Sequence, residues 1–282
     1  MPPYCFFLNF ASMKIWKLTL IHILATITLQ SCEIIDYHPY SADFDGARNI
    51  NADNIARIEA AMAGRDSLCF AVISDTQRWY DETASAVRSI NARNDIDFVI
   101  HCGDLTDFGA TREFEWMRDE LQKLCPPYVC LIGNHDCLAN GTHVFNAMYG
   151  HPNFSFTAGD THFACFDTNA LEYDYSTPVP DFSFLKRDSE SLPLNVRRTV
   201  VAMHAAPFTD QFNNNVAEHF QNELKTYPGL QFCLSGHRHS TTVFQPFDDG
   251  VTYYECASAK QREYLVFTLT QKGGVRYEVV VY

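Results

Sequence analysis

Phe98-Val99-Ile100-His101-Cys102-Gly103-Asp104-Leu105-Thr106-Asp107 is an apolar run that stops on a glycine and an acid. Such a run reads as a buried strand, and Gly103 lets the backbone turn tightly just before Asp104. A strand that ends this way aims one carboxylate beyond the sheet edge, where open α/β sheets hold their ligands. Working outward, residues 68–74 form a further strand-like run ending at Asp75-Thr76-Gln77. Residues 128–132 lead to Gly133-Asn134-His135-Asp136, residues 200–203 lead to His204, and residues 230–235 lead to Gly236-His237-Arg238-His239. These ends present oxygen and imidazole donors, a set suited to a divalent metal of hard to borderline character. Residues two apart on an extended chain face the same side, so His237 and His239 share a direction and Arg238 points the other way.

Taken in order, Gly-Asp-x-x-Asp, Gly-Asn-His-Asp, a lone His and Gly-His-x-His, each after a strand, resemble the calcineurin-like metallophosphoesterase family over residues 69–240. The family's opening Asp-x-His is here Asp75-Thr76-Gln77. The resemblance implies an α/β fold, a four-layer α/β/β/α sandwich of two mixed β-sheets flanked by helices, with metals at one sheet edge. It implies two divalent ions, with Mn2+, Fe2+ or Fe3+, Zn2+ and Mg2+ all open. Asp75, Gln77, Asp104 and His239 would surround one ion, and Asp104, Asn134, His204 and His237 the other. Asp104 can bridge because a carboxylate offers two anionic oxygens. The implied reaction is hydrolysis of a phosphomonoester or phosphodiester by a metal-bridging hydroxide.

The same resemblance makes His135 a proton or hydrogen-bond donor to the phosphoryl group or leaving oxygen, a role that suits an imidazole near neutral pH. Asp107 or Asp136 would orient it, or Asp107 could cap the next helix. Gln77 offers a neutral amide oxygen, a weaker ligand than imidazole. That departure leaves open an alternative, a non-catalytic or weakly active metal-binding envelope lipoprotein of the same fold. Trp79 and Tyr80 are either a stacking wall for substrate or helix-packing aromatics, and Arg238 is either a phosphate contact or a salt-bridge partner. His101, inside its strand, reads as a satisfied core histidine. The substrate itself is not legible, because specificity lies in loops such as 138–152 and 170–188.

The chain has 282 residues with 46% hydrophobic content, enough for a substantial core. Its net charge is -13 and it has no basic stretch, which argues against a nucleic-acid surface and against electrostatic binding to anionic lipid. An anionic substrate remains compatible, since two divalent ions outweigh the charges of Asp75 and Asp104. Ten cysteines fall mostly in strand-like runs, as at Cys69, Cys102, Cys130, Cys165, Cys233 and Cys256, where they serve as small buried hydrophobes. Disulfides stay open for an exported chain, whereas the lack of Cys-x-x-Cys argues against a zinc ribbon.

Residues 1–12 fit nothing that follows, and Met13 is the expected start. Lys14 and Lys17 precede an apolar run over residues 18–29, which has the length of a signal core and is short for a bilayer span. Leu29-Gln30-Ser31-Cys32 resembles a bacterial lipobox, so Cys32 is the expected lipidation site. This predicts an exported protein of a bacterial cell envelope that meets the membrane only through a lipid anchor. The expected division is 1–32 extension and signal, 33–66 tether and short helix, and 67–282 metallophosphoesterase domain.

Asn51 is placed to cap that short helix, with Ile55, Ile58 and Met62 on one face and Gly64 as its stop. Helices are expected over 81–94, through Ala84, Val87 and Ile90, and over 111–124, through Phe114, Met117, Leu121 and Leu124. Alternating strands and helices up to Asp136 make a parallel βαβ pattern. Beyond it, 138–152 reads as a loop, 154–156 and 162–167 as a hairpin, and 170–188 as an irregular excursion over the pocket. Strands at 199–203, 230–235, 241–245, 251–255, 264–269 and 275–281, with a helix marked by Val216, Phe220 and Leu224, suggest a second, mixed sheet.

Overall fold

The computed structural model describes residues 42–174, 177–271 and 273–282. The expected export signal and the expected lipidation site, Cys32, lie outside them. In chain order the described part forms α1 (Ile50–Met62), β1 (Leu68–Ile73), α2 (Tyr80–Asn91), β2 (Phe98–His101), α3 (Thr111–Leu121), β3 (Tyr128–Cys130), α4 (Gly141–Met148), β4 (Phe154–Ala158) and β5 (Thr161–Phe166). It continues through α5 (Phe182–Glu190), β6 (Arg198–Met203), α6 (Ala217–Leu224), β7 (Leu230–Ser235), β8 (Thr242–Phe244), β9 (Thr252–Glu255), β10 (Glu263–Leu269) and β11 (Val275–Val281). One sheet has the order β11-β10-β1-β2-β3 and the other β4-β5-β6-β7-β9-β8. The strands β1, β2 and β3 are parallel, as are β5, β6, β7 and β9; antiparallel strands β11, β4 and β8 form three of the sheet edges and the parallel β3 the fourth.

The period-two alternation of β1 decides the layering. Phe70 and Val72 face the space between the sheets with Phe98, Ile100, Phe163, Val200, Phe232 and Phe267. Ala71 and Ile73 face the opposite way, onto Val87 and Ile90 of α2 and Phe114, Met117 and Leu121 of α3. On the second sheet, Phe166, Val201, Met203 and Cys233 turn outward onto Leu185 of α5 and Phe220 and Leu224 of α6. Helix, sheet, sheet and helix therefore stack as four layers, as the family resemblance implied. Phe163 meets Phe70 and Phe98 edge-on at 5.3 Å each, and burying each such ring stabilises by about 1.5–3 kcal/mol.

Asn51 does not cap α1. Asn49 precedes the helix in a left-handed conformation, and Asn51 lies inside it, buried against the edge strand β3. Its side chain donates to the Cys130 carbonyl at 2.8 Å and accepts from the Cys130 N–H at 2.9 Å. The amide thus copies one strand pairing and closes an otherwise open edge. Replacing Asn51 by Ala leaves both Cys130 groups buried and unpaired. The expected cost is about 2–3 kcal/mol, read as a lower denaturant midpoint at unchanged slope; an unshifted midpoint would refute this account.

Two segments expected to be irregular hold helices. The 138–152 stretch contains α4, because Val144, Phe145 and Met148 bury one face against the α3 layer. The 170–188 stretch ends in α5, whose start is capped by Asp181 accepting from Phe184 N at 3.0 Å. Cys102, Cys130, Cys165, Cys233 and Cys256 are buried, and none of the described cysteines forms a disulfide. No helix among the described residues is long and apolar enough to cross a membrane.

Candidate metal centre

The parallel strands β1, β2, β3, β6 and β7 bring their C-terminal ends to one edge, and the motif loops there bond to one another. Asp75 N donates to Gly103 O at 3.0 Å, Thr76 N to Asp104 O at 3.0 Å, and Gly236 N to His204 O at 3.0 Å. Asp75, Asp104, His237 and His239 all adopt left-handed backbone, with φ of 52°, 60°, 80° and 61°. Each such residue costs on the order of 1 kcal/mol and persists only where its surroundings hold it. The motif glycines follow from this crowding. A Cβ at Gly133 would lie 2.2 Å from Asp104 N, and one at Gly103 would lie 2.7 Å from His204 Nδ1.

Asp136 fastens two of these loops together. Its buried carboxylate accepts from Gly133 N at 2.9 Å, Leu105 N at 3.1 Å, and Thr106 N and Oγ1 at 2.8 Å each. With its oxygens taken up in this way, Asp136 does not orient His135.

Asp75, Gln77, Asp104 and His204 are all buried. Ligand atoms of Asp75, Asp104 and His204 lie within 4.8 Å of one another. The Nδ1–H of His204 donates to the Cys102 carbonyl at 2.7 Å. In the neutral ring that bond leaves the Nε2 lone pair facing Asn134 Oδ1 at 3.1 Å and Asp104 Oδ1 at 3.4 Å. His237 Nδ1 lies 3.1 Å from the same Asn134 oxygen. Burial opposes a charged imidazole, but the Asp104 and Asp75 carboxylates outweigh it and push His204 up to about 10. Burial would likewise raise Asp104, yet His204 and His135 hold it below the ordinary carboxylate value.

The first cluster is built similarly. His239, half exposed at the mouth, has Nε2 3.2 Å from Asp75 Oδ1, and this contact raises its pKa. Gln77 Nε2 donates to Asp104 Oδ2 at 3.2 Å. Among the described residues Asp75 Oδ1 makes no further bond beyond the His239 contact, and Gln77 Oε1 is buried without a hydrogen-bond partner. Buried oxygens left in this way are costly unless a cation or proton meets them. The donor set therefore fits divalent ions at both clusters.

His135 lies beside these donors. Its backbone N–H donates to Asp104 Oδ1 at 3.0 Å, and its ring Nδ1 bonds the Asp107 carbonyl at 2.8 Å. The Asp107 carboxylate is 3.8 Å from Nδ1 and pairs with Arg78. Asp107 does not cap α3: Ala110 holds that position, and Glu113 Oε2 accepts from Ala110 N at 3.1 Å. Arg238 makes a salt bridge, with Nη2 2.6 Å from the buried Glu255 carboxylate. Tyr80 packs edge-on to Trp116 at 5.9 Å, the helix-packing role, whereas Lys260 lies 5.4 Å from the Trp79 ring. His101 is a satisfied core residue. Its Nδ1 accepts from Gly103 N at 3.1 Å, its Nε2 bonds Thr76 Oγ1 at 2.8 Å, and burial lowers its pKa to about 4.

Sequence reasoning did not find Arg78 or Asp210. Asp210 Oδ1 lies 2.6 Å from His237 Nε2. Its one local signal is that it belongs to the loop after a donor-bearing strand.

Residues 69–241 match the calcineurin-like phosphoesterase family, and the chain belongs to it. A 3',5'-cyclic-nucleotide phosphodiesterase of Nostoc sp. is 24% identical over 154 residues, which are 52% of this chain and 57% of that protein. The chain thus spans little more than half the length of this relative. A dimetal phosphatase from Danio rerio superposes with a TM-score of 0.58 at 14% identity, covering 76% of this chain and 99% of that one. A purple acid phosphatase from yellow lupin (Lupinus luteus) gives 0.59 at 12%, covering 77% and 52%. An anchor protein of the Plasmodium inner membrane complex gives 0.55 at 14%, covering 76% and 84%. These structural likenesses concern the fold.

Proposed function

We propose that this chain is a metal-dependent phosphoesterase that hydrolyses a phosphomonoester or phosphodiester at a centre of two divalent ions. The observation that carries the reading is that Asn134 Oδ1 and Asp104 Oδ1 lie 3.1 and 3.4 Å from His204 Nε2 in a member of this family. Asp75, Gln77, Asp104 and His239 would hold one ion, and Asp104, Asn134, His204 and His237 the other. Bound ions would supply Lewis acidity toward the phosphoryl oxygens and a water of lowered pKa.

The chain's own residues supply the rest. Asp104 presents both oxygens, one toward His204 and one toward Gln77. The Asp107 carbonyl takes the Nδ1–H of His135 and fixes its ring. A protonated His135 then has Nε2–H to give to the leaving oxygen. The Arg78–Asp107 pair holds that loop from outside.

The test is turnover of p-nitrophenyl phosphate, its bis ester and a 3',5'-cyclic nucleotide with added Mn2+, Fe2+, Zn2+ or Mg2+. The cyclic nucleotide is included because the Nostoc relative bears that name. Activity lost in chelator and restored by metal is expected. Folded protein with no turnover under any metal would overturn the proposal. Gln77 favours one second reading, a non-catalytic lipoprotein holding a single ion, and two ions per chain would count against it. We place the protein at a bacterial cell envelope, anchored through Cys32, on the strength of residues 13–32. Labelled palmitate should enter the wild type and not Cys32→Ser.

A further inference from the structure

We propose that Asp210 is a positioning residue for His237. Its carboxylate fixes the ring's tautomer and plane, so that Nδ1 is the nitrogen presented to the ion position shared with Asn134 and His204. It thereby sets the affinity of that position. The inference rests on the two-ion reading above and does not depend on the reaction carried out there.

A neutral imidazole carries one ring proton. Asp210 Oδ1, at 2.6 Å from Nε2, is a carboxylate oxygen and can only accept. The proton therefore sits on Nε2, and Nδ1 keeps its lone pair, 3.1 Å from Asn134 Oδ1. His204 is arranged in the mirrored sense, with Nδ1–H given to the Cys102 carbonyl and Nε2 turned inward. The two rings meet edge to face, with centroids 5.3 Å apart. A neutral carbonyl thus orients one ring and an anionic carboxylate the other. A carboxylate behind a ligating histidine also strengthens it as a donor.

The loop that carries Asp210 is braced. Phe208 N donates to Asn214 Oδ1 at 2.7 Å, Asn214 Nδ2 to Thr209 O at 2.8 Å, and Gln211 N to Asp210 Oδ1 at 3.1 Å. Ala170 N donates to Gln211 O at 2.9 Å and ties it to the neighbouring loop. Asp210 itself is largely exposed, with 80% side-chain accessibility, so its clearest structural duty is the bond to His237.

The test titrates Mn2+ into metal-free full chain by calorimetry and counts bound ions by mass spectrometry, for wild type, Asp210→Ala and Asp210→Asn. Glu218→Gln, which removes another exposed charge, is the control. Wild type should bind two ions. Asp210→Ala should bind one as wild type does and the other about 10–100-fold more weakly. Asp210→Asn, whose amide oxygen can still accept, should fall between. The metal-free variants should melt with the wild type, and long-range proton–nitrogen spectra should show the Nε2–H tautomer of His237 becoming mixed in Asp210→Ala. Wild-type affinity for both ions in Asp210→Ala, equal weakening in Glu218→Gln, or a wild type binding fewer than two ions would each overturn the proposal. A wild type that binds two ions yet hydrolyses no ester would sink the phosphoesterase reading and leave this one standing.

Discussion

Asp104→Asn is expected to lower turnover by at least about 1,000-fold, ~4 kcal/mol of barrier, while the chain stays folded. Asp104 faces both clusters, with Oδ1 toward His204 and Oδ2 toward Gln77. An amide keeps one neutral oxygen and turns two N–H donors into a space built for cations. The fold should tolerate the change. Oδ1 can still accept from His135 N, now at 3.0 Å. The new Nδ2 would oppose Gln77 Nε2, but Gln77 can rotate its amide and offer Oε1, which has no partner. Thermal melts then separate the two effects. Metal at about 100 times its dissociation constant should stabilise wild type by about 2.7 kcal/mol and the variant by much less. A variant with full turnover, or one that unfolds without metal, would contradict this assignment.

Asp104, Asn134 and His237 could be singled out as candidate donors because each follows a glycine at the end of an apolar run, whereas Asp75 and His204 follow Ser74 and Met203 and were marked only by their place in the order of motifs. The four layers came from the family resemblance alone, because β1 is apolar on both faces, with Phe70 and Val72 on one and Ala71 and Ile73 on the other, and its sequence shows no alternation that would assign them. What was not readable depends on partners remote in sequence. Asn51 looks like a helix cap in isolation, and its true role needs Cys130 lying at its side. Asp136 sits beside His135 in the chain, yet its oxygens are claimed by Leu105 and Thr106 from another loop. The salt bridge of Arg238 needs Glu255, which comes from a later strand. α4 was missed because its turn-like start, Asn140-Gly141, hides a helical spacing that continues through Val144, Phe145 and Met148.

Gln77→His should produce the second large change, a gain. Thr76 points the other way, its hydroxyl tied to His101 Nε2 at 2.8 Å, so residues 75 and 77 share the pocket side. Gln77 is buried there, and its oxygen is an acceptor with no donor. An imidazole of similar reach would replace a neutral amide with a stronger donor for borderline ions such as Zn2+ and Fe2+. Removing a residue that merely orients a ligand already costs about 10–100-fold in affinity, so exchanging a ligand should change the first ion by about 100-fold. Calorimetry should show this gain together with a preference moved from Mn2+ toward Zn2+, and turnover at limiting metal should rise with it. Gln77→Leu, which has no donor atom, should lose that ion and most of the activity. If Gln77→His binds no more tightly and Gln77→Leu keeps both ions, Gln77 stands outside the coordination sphere. Its carbonyl would then be an uncompensated buried oxygen, and Asp75, Asp104 and His239 would have to hold the first ion by themselves.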